Sequence, residues 1–170
     1  VVVIPAKGVR TAIEQAGEEF GYRWYGARAL MSMRLEKSWG VWTLDYRPDF
    51  NAVESGLAGF IDWDKDFIGK AAAVNSRDTP HERQLVTLTI DVDGIDVSND
   101  EAILKNGRAI GYVSSGGFGH RISKSLAMGY IESRFAVDGT EVEVEILGHC
   151  YPATVHLQPL YDGNGRRMRC

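Results

Sequence analysis

Trp24-Tyr25-Gly26-Ala27-Arg28 puts two aromatic rings and a guanidinium beside a glycine. An arginine fork can hold a carboxylate, or the edge of a flat heterocycle, through paired N–H donors. Gly26 permits the tight backbone turn that would aim that fork. Trp24 and Tyr25 offer ring faces with a polar tip, which suits a ligand of mixed character. The same residues have plainer uses: Arg28 could bond carbonyls at its own turn or pair with Glu36, and the rings could anchor a core or a domain interface. Trp39 and Trp42, three apart and followed by Tyr46, pose the same choice.

Ser114-Ser-Gly-Gly-Phe-Gly119 could converge its amides on an anion. No lysine follows at phosphate-loop spacing and the Gly-x-Gly-x-x-Gly fingerprint is not met, so a tight turn between strands is the better reading. His81, His120, His149 and His156 have no metal-ligand spacing, and Cys150 and Cys170 match no zinc motif, so no metal is expected. Ser114, Ser115 and the cysteines lack a nucleophile elbow and a recognisable base, which leaves hydrolase chemistry unsupported and no catalytic residue nominated. Arg166-Arg167-Met168-Arg169 is a small basic cluster of the kind that is usually solvated or touches a neighbouring domain.

A chain of 170 residues with 44% apolar content can bury a core and lies between one domain and two small ones. Its net charge of -4, with interspersed signs, offers no basic stripe for a nucleic-acid backbone. The apolar runs fall short of the ~20 residues a spanning helix needs, so no membrane partner is expected. Two cysteines make no disulfide framework, and a reducing compartment is the default.

Val1-Val2-Val3-Ile4 reads as a buried strand with nothing before it, so the chain is expected to be the C-terminal part of something longer. Val9, Ala12, Ile13 and Ala16 recur at helical spacing between Gly8 and Phe20. After the Gly26 turn, Met31, Met33 and Leu35 alternate with Ser32, Arg34 and Glu36, which suggests a turn of helix followed by a strand. Gly56 to Trp63 is a strand-like apolar run, and Asp66 is placed to cap a helix over Phe67 to Val74. Asn75 to Arg83 lacks periodicity and is read as an exposed connection between two domains, 1–75 and 84–165. Beyond it the pattern is β: Gln84 to Asp91 alternates, Asn106-Gly107 signals a hairpin returning through Ala109 to Ser114, and Glu141, Glu143 and Glu145 alternate with Val142, Val144 and Ile146. Such closely spaced strands favour a small closed barrel, and the fold class is α+β.

Several blocks occur in the order found in one family. Gly26-Ala27-Arg28, Met33-Arg34-Leu35-Glu36-Lys37, Trp42, Asp45-Tyr-Arg-Pro-Asp49, Glu54-Ser-Gly-Leu57, Asp66-Phe-Ile-Gly-Lys-Ala71, Ile110-Gly-Tyr-Val-Ser-Ser-Gly116, Lys124-Ser-Leu-Ala-Met-Gly-Tyr130 and Leu147-Gly-His-Cys-Tyr-Pro-Ala153 together resemble the aminomethyltransferases, including the glycine-cleavage T-protein. They are closer to the C-terminal folate-binding part of the dimethylglycine/sarcosine dehydrogenase family. The resemblance implies the end of a T-protein-like folate-binding α+β domain followed by a small C-terminal antiparallel β-barrel. It implies tetrahydrofolate as cofactor, with Arg28 at the position of the family's folate-contacting arginine and Trp24 and Tyr25 beside it. It further implies FAD and a catalytic aspartate in an upstream half preceding Val1, and a small methylated amine as substrate. On this reading the fragment alone is inactive. The resemblance places the protein in the bacterial cytoplasm or the eukaryotic mitochondrial matrix. A stand-alone aminomethyltransferase and a non-catalytic docking barrel are the competing readings.

Overall fold

The computed structural model describes residues 6–169, apart from the side chains of residues 6 and 168. The expected strand Val1 to Ile4 lies outside the described residues. Two compact units are distinguished, Val1–Leu30 and Met31–Cys170.

The first unit holds helix α1, Ala6–Gly17, followed by a 3-10 turn over Glu18–Phe20. Gly21 stops the turn in the left-handed conformation at φ 68, which a residue without Cβ adopts at little cost. The apolar side chains of α1 stay largely exposed, with Val9 at 43% and Ile13 at 49%. Helix α2, Ala27–Glu36, begins in this unit.

Helix α2 corrects the expectation of a strand after Gly26: the whole span is helical. Ala, Leu, Met, Arg and Glu are all good helix formers, and a strand face would have buried Met33 together with Leu35. Instead Leu35 is fully buried while Met33 is 45% exposed. The Gly56 to Trp63 strand is also corrected, because the segment forms turns and a 3-10 helix over Ala58–Phe60. Gly56 sits at φ 72 and no strand pairs with the segment, so its apolar residues have no sheet to enter. Helix α3 runs Lys70–Asp78, later than expected, and is preceded by Gly69 at φ 88 with no side-chain cap. Asp66 therefore caps nothing; Asp62 gathers the local amides, accepting from Asp64 N and Lys65 N. The foreseen connection shortens accordingly, because Asn75 to Asp78 complete α3.

The rest of the second unit is a closed antiparallel barrel. Its strands are β1 Arg83–Ile90, β2 Ala102–Lys105, β3 Arg108–Gly119, β4 Lys124–Glu132, β5 Glu141–Ile146 and β6 His149–His156. The order around the barrel is β1-β4-β3-β2-β5-β6. Asn106 and Gly107, at φ 52 and 73, form the expected two-residue hairpin between β2 and β3.

Period-two patterning makes two cores. Val86, Leu88 and Ile90 of β1, Ala127 and Ile131 of β4, and Val142, Val144 and Ile146 of β5 fill the barrel interior. The alternate residues Leu126, Met128 and Tyr130 of β4, with Leu85, form a second core outside the barrel wall against Leu35, Tyr46 and Phe50. Phe50 stacks on Tyr130 at 3.6 Å and 9°. Strand β4 is thus apolar on both faces, and the segment between α2 and β1 is a cover that the barrel needs. Among the described residues, no helix is long and apolar enough to cross a membrane.

Ser114-Ser-Gly-Gly-Phe-Gly119 lies inside β3, which corrects the reading of a turn. Its glycines make room for packing rather than for a bend. A Cβ on Gly116 would stand 2.2 Å from Val97 Cγ1, and one on Gly119 would stand 2.8 Å from Leu126 Cδ1.

Candidate functional site

In the first unit, the Gly26 carbonyl accepts from Leu30 N and opens α2, so Arg28 stands in the first turn of that helix. It is exposed and makes no hydrogen bond or ion pair among the described residues. A helix first turn presents unpaired amides and the positive end of the dipole. Arg28 adds a fork of donors to it, an arrangement that suits a carboxylate. Tyr25 is 62% exposed.

Trp24 is already engaged. Its indole N–H donates to Glu14 Oε1 at 2.6 Å, Arg10 lies 4.8 Å from the ring centroid, and the Tyr22 ring meets it edge-on at 5.2 Å. These bonds, from Trp24 first and Arg10 second, hold the Glu14 carboxyl below its ordinary value. Arg28 and Tyr25 therefore keep donors and a ring face uncommitted, whereas Trp24 offers only the ring surface that Arg10 leaves open.

The second unit contains a buried polar junction that sequence reasoning missed. Arg34, near the end of α2, donates through Nη1 to Asp45 Oδ2 at 2.8 Å, with 4% and 0% of the two side chains exposed. Asp45 Oδ2 also accepts from Val41 N at 2.8 Å. Its other oxygen accepts from both Ser114 Oγ and Ser115 Oγ, at 2.5 and 2.6 Å. Consecutive strand residues normally face opposite sides; a bulge between Val113 and Ser115 turns both hydroxyls to one carboxylate. Tyr130 donates to the Asp45 carbonyl at 2.8 Å while Ser55 Oγ bonds the Tyr130 hydroxyl. Burial pushes the Tyr130 phenol up to about 12 and lowers the Arg34 pKa against the raising effect of Asp45.

Glu36 is 2% exposed and spends its carboxylate on Arg121 N and Ile122 N, at 2.5 and 3.1 Å. Lys37 bonds the Asp162 carboxylate at 3.1 Å, and that carboxylate caps the turn beginning at Arg166 by accepting from Arg166 N. The basic tail thereby starts from a fixed turn. Trp39 meets Phe60 edge-on at 5.7 Å and Trp42 meets Tyr46 at 6.0 Å, with both tryptophans more than half exposed.

The histidines are dispersed: His81 bonds Gln84, His156 bonds Thr89, and His120 meets Phe118 edge-on. Among the described residues no group of three His, Cys, Asp or Glu side chains could hold a metal ion. The missed signal was the pair Arg34 and Glu36 flanking Leu35. A charged residue bound for burial has the same letter as one bound for solvent, and only the partner, eleven residues away for Arg34, distinguishes them.

The closed antiparallel barrel, with a helical and turn-rich segment laid over β4, defines the class: the carboxyl-terminal part of an aminomethyltransferase-type fold. Residues 83–162 match the glycine cleavage T-protein C-terminal barrel domain and residues 5–65 match the GCVT N-terminal domain. The chain belongs to the glycine cleavage T-protein family. It is 39% identical to human mitochondrial dimethylglycine dehydrogenase over 88% of its own length and 17% of that protein's. To mouse mitochondrial sarcosine dehydrogenase it is 32% identical, over 95% of this chain and 18% of the relative. The crystal structure of glycine cleavage system aminomethyltransferase T from Bartonella henselae superposes with a TM-score of 0.83 at 28% identity, covering 94% of this chain and 45% of that one. The chain thus spans under a fifth of the dehydrogenases and less than half of the aminomethyltransferase.

Proposed function

We propose that this chain is the C-terminal, tetrahydrofolate-holding part of a flavin-dependent dimethylglycine/sarcosine dehydrogenase-like enzyme, in which the one-carbon unit released by oxidative N-demethylation passes to tetrahydrofolate. The observation that carries this reading is the 39% identity to dimethylglycine dehydrogenase across 88% of the chain. Arg28 and Tyr25 are the residues to hold the folate, with the exposed surface of Trp24 as a flanking wall. Tetrahydrofolate supplies the amine that accepts the one-carbon unit. The chain's own work is to bind and orient it: the Arg28 fork takes a carboxylate or ring edge and Tyr25 offers a ring face. On this reading, oxidation of the amine belongs to a flavin-bearing part of the enzyme outside this chain, which spans 17% of the length of dimethylglycine dehydrogenase.

A second reading, part of a stand-alone aminomethyltransferase, is favoured by the larger share of such a protein that the chain covers, 45% against 17%. Both readings need folate. Calorimetric titration of the chain with tetrahydrofolate under anaerobic conditions, beside Arg28→Ala, tests them together. Binding that Arg28→Ala abolishes supports the assignment. A folded chain that ignores tetrahydrofolate, or an Arg28→Ala variant that binds as well as the parent, overturns it.

A further inference from the structure

The turn over residues 41–46 holds Trp42 out from the second unit on a rigid base. Asp45 Oδ2 accepts from Val41 N and from Arg34, and the Tyr46 hydroxyl accepts from Gly40 N at 3.1 Å while its ring packs against the outer core. Asp45 N and Tyr46 N both donate to the Val41 carbonyl, at 3.0 and 3.1 Å. At the tip Thr43 takes φ 71, a conformation that a β-branched residue adopts only under constraint. Trp42 leaves this base 79% exposed, with its ring against the edge of Tyr46. A large ring on a fixed backbone loses little freedom when it is covered, which is what makes such residues interface anchors.

The exposure is not spread evenly. Trp42, Phe60 and Trp39 are the three most exposed aromatic side chains of the second unit among the described residues, and Trp39 and Phe60 already meet edge-on. All three fall within residues 5–65, the part that matches the GCVT N-terminal domain, and none lies on the barrel. The chain covers 45% of the aminomethyltransferase that shares its fold and 17% of human dimethylglycine dehydrogenase, so in these relatives the larger part of the polypeptide lies outside the matched region.

We infer that Trp42 is the anchor by which this chain docks the polypeptide that completes its GCVT N-terminal-type domain, and that this polypeptide receives the ring in an apolar pocket with a carbonyl or carboxylate for the indole N–H. The inference rests on the reading of the chain as part of a longer enzyme. The chemistry of the pocket follows from the side chain: the ring face rewards apolar contact, and a buried indole N–H needs an acceptor. Trp42 makes no hydrogen bond within the described residues, so its donor is uncommitted.

Hydroxyl-radical footprinting read by mass spectrometry tests this on the 170-residue chain and on the longest natural polypeptide that contains it. An interface anchor is desolvated, so labelling of Trp42 should be about tenfold slower in the longer polypeptide. Trp42→Ala should lower the thermal midpoint of the longer polypeptide by more than that of the 170-residue chain, because only the former loses a buried contact; if that variant does not fold, labelling of the parent decides. Equal labelling of Trp42 in both overturns the inference and leaves the longer enzyme standing. Protection in the 170-residue chain that grows with its concentration, marking a second copy as the occupant, or that appears on adding tetrahydrofolate, marking a ligand wall, overturns it as well. A natural polypeptide no longer than this chain overturns both the inference and the reading it rests on.

Discussion

Asp45→Asn is the sharpest perturbation this structure offers, since the exchange preserves shape and removes one charge. The native carboxylate accepts four hydrogen bonds from Arg34, Val41 N, Ser114 and Ser115. An amide supplies one accepting oxygen and turns an NH2 group toward donors, while the Arg34 charge is left uncompensated. Breaking one side of a buried pair typically costs about 3–5 kcal/mol. At roughly 2–4 °C per kcal/mol for a chain of this size, the midpoint of thermal unfolding should fall by about 6–20 °C. Urea unfolding followed by tryptophan fluorescence measures the loss, and Arg34→Met with the double variant closes a thermodynamic cycle. The double variant should lose less than the two single variants summed, because it removes both charges. A loss below about 1 kcal/mol for Asp45→Asn, or additive single effects, would show that the pair is solvated and refute the account of the junction.

Other perturbations follow from packing and titration. Burial raises the folded Tyr130 pKa to about 12 from the ordinary phenol value of 10.0, so its contribution is fully present below about pH 10 and is lost as pH climbs toward 12. Relative to the parent, Tyr130→Phe should cost about 1 kcal/mol near neutrality through its lost hydrogen bonds, and this deficit should shrink above pH 10 in urea titrations across that range. Gly116→Ala places a methyl 2.2 Å from Val97 Cγ1 and 2.6 Å from the Val97 carbonyl, an overpacking expected to cost about 1–3 kcal/mol in denaturant unfolding. Leu147, 80% exposed at φ 51 between β5 and β6, occupies a turn position that favours asparagine. Leu147→Asn should therefore stabilise the chain by about 1 kcal/mol, read as a raised unfolding midpoint.

Where the chain's preferences were local, they could be read directly. Asn106-Gly107 declared its hairpin because both residues tolerate positive φ, and Glu141 to Ile146 declared a wall strand because every second residue is apolar. Where the outcome depended on distant partners, the reading failed. Met31, Met33 and Leu35 alternate like a strand, but the second core requires only Leu35, and helix preference governs the rest. Gly116 and Gly119 looked like turn residues because their cause, Val97 and Leu126 pressed against the backbone, lies elsewhere in the chain. The candidate site divides the same way. Arg28 is nominated only through the family resemblance of its block and remains a proposal, whereas the Arg34–Asp45 junction needed a bulge in β3 that no local pattern announces.

That bulge also protects the barrel from its own symmetry. A strand of alternating side chains can slide along its neighbours, and glycine-rich stretches such as 116–119 offer few side chains to resist. Past the bulge, β3 is gauged against a fixed point outside the sheet, the Asp45 carboxylate. A slip of one residue would bring either Val113 or Gly116 to a place where a hydroxyl is required, and the error would appear at once as a buried carboxylate short of a donor. The loop over the barrel thus holds β3 in alignment, because any slipped register leaves the buried Asp45 carboxylate short of a donor.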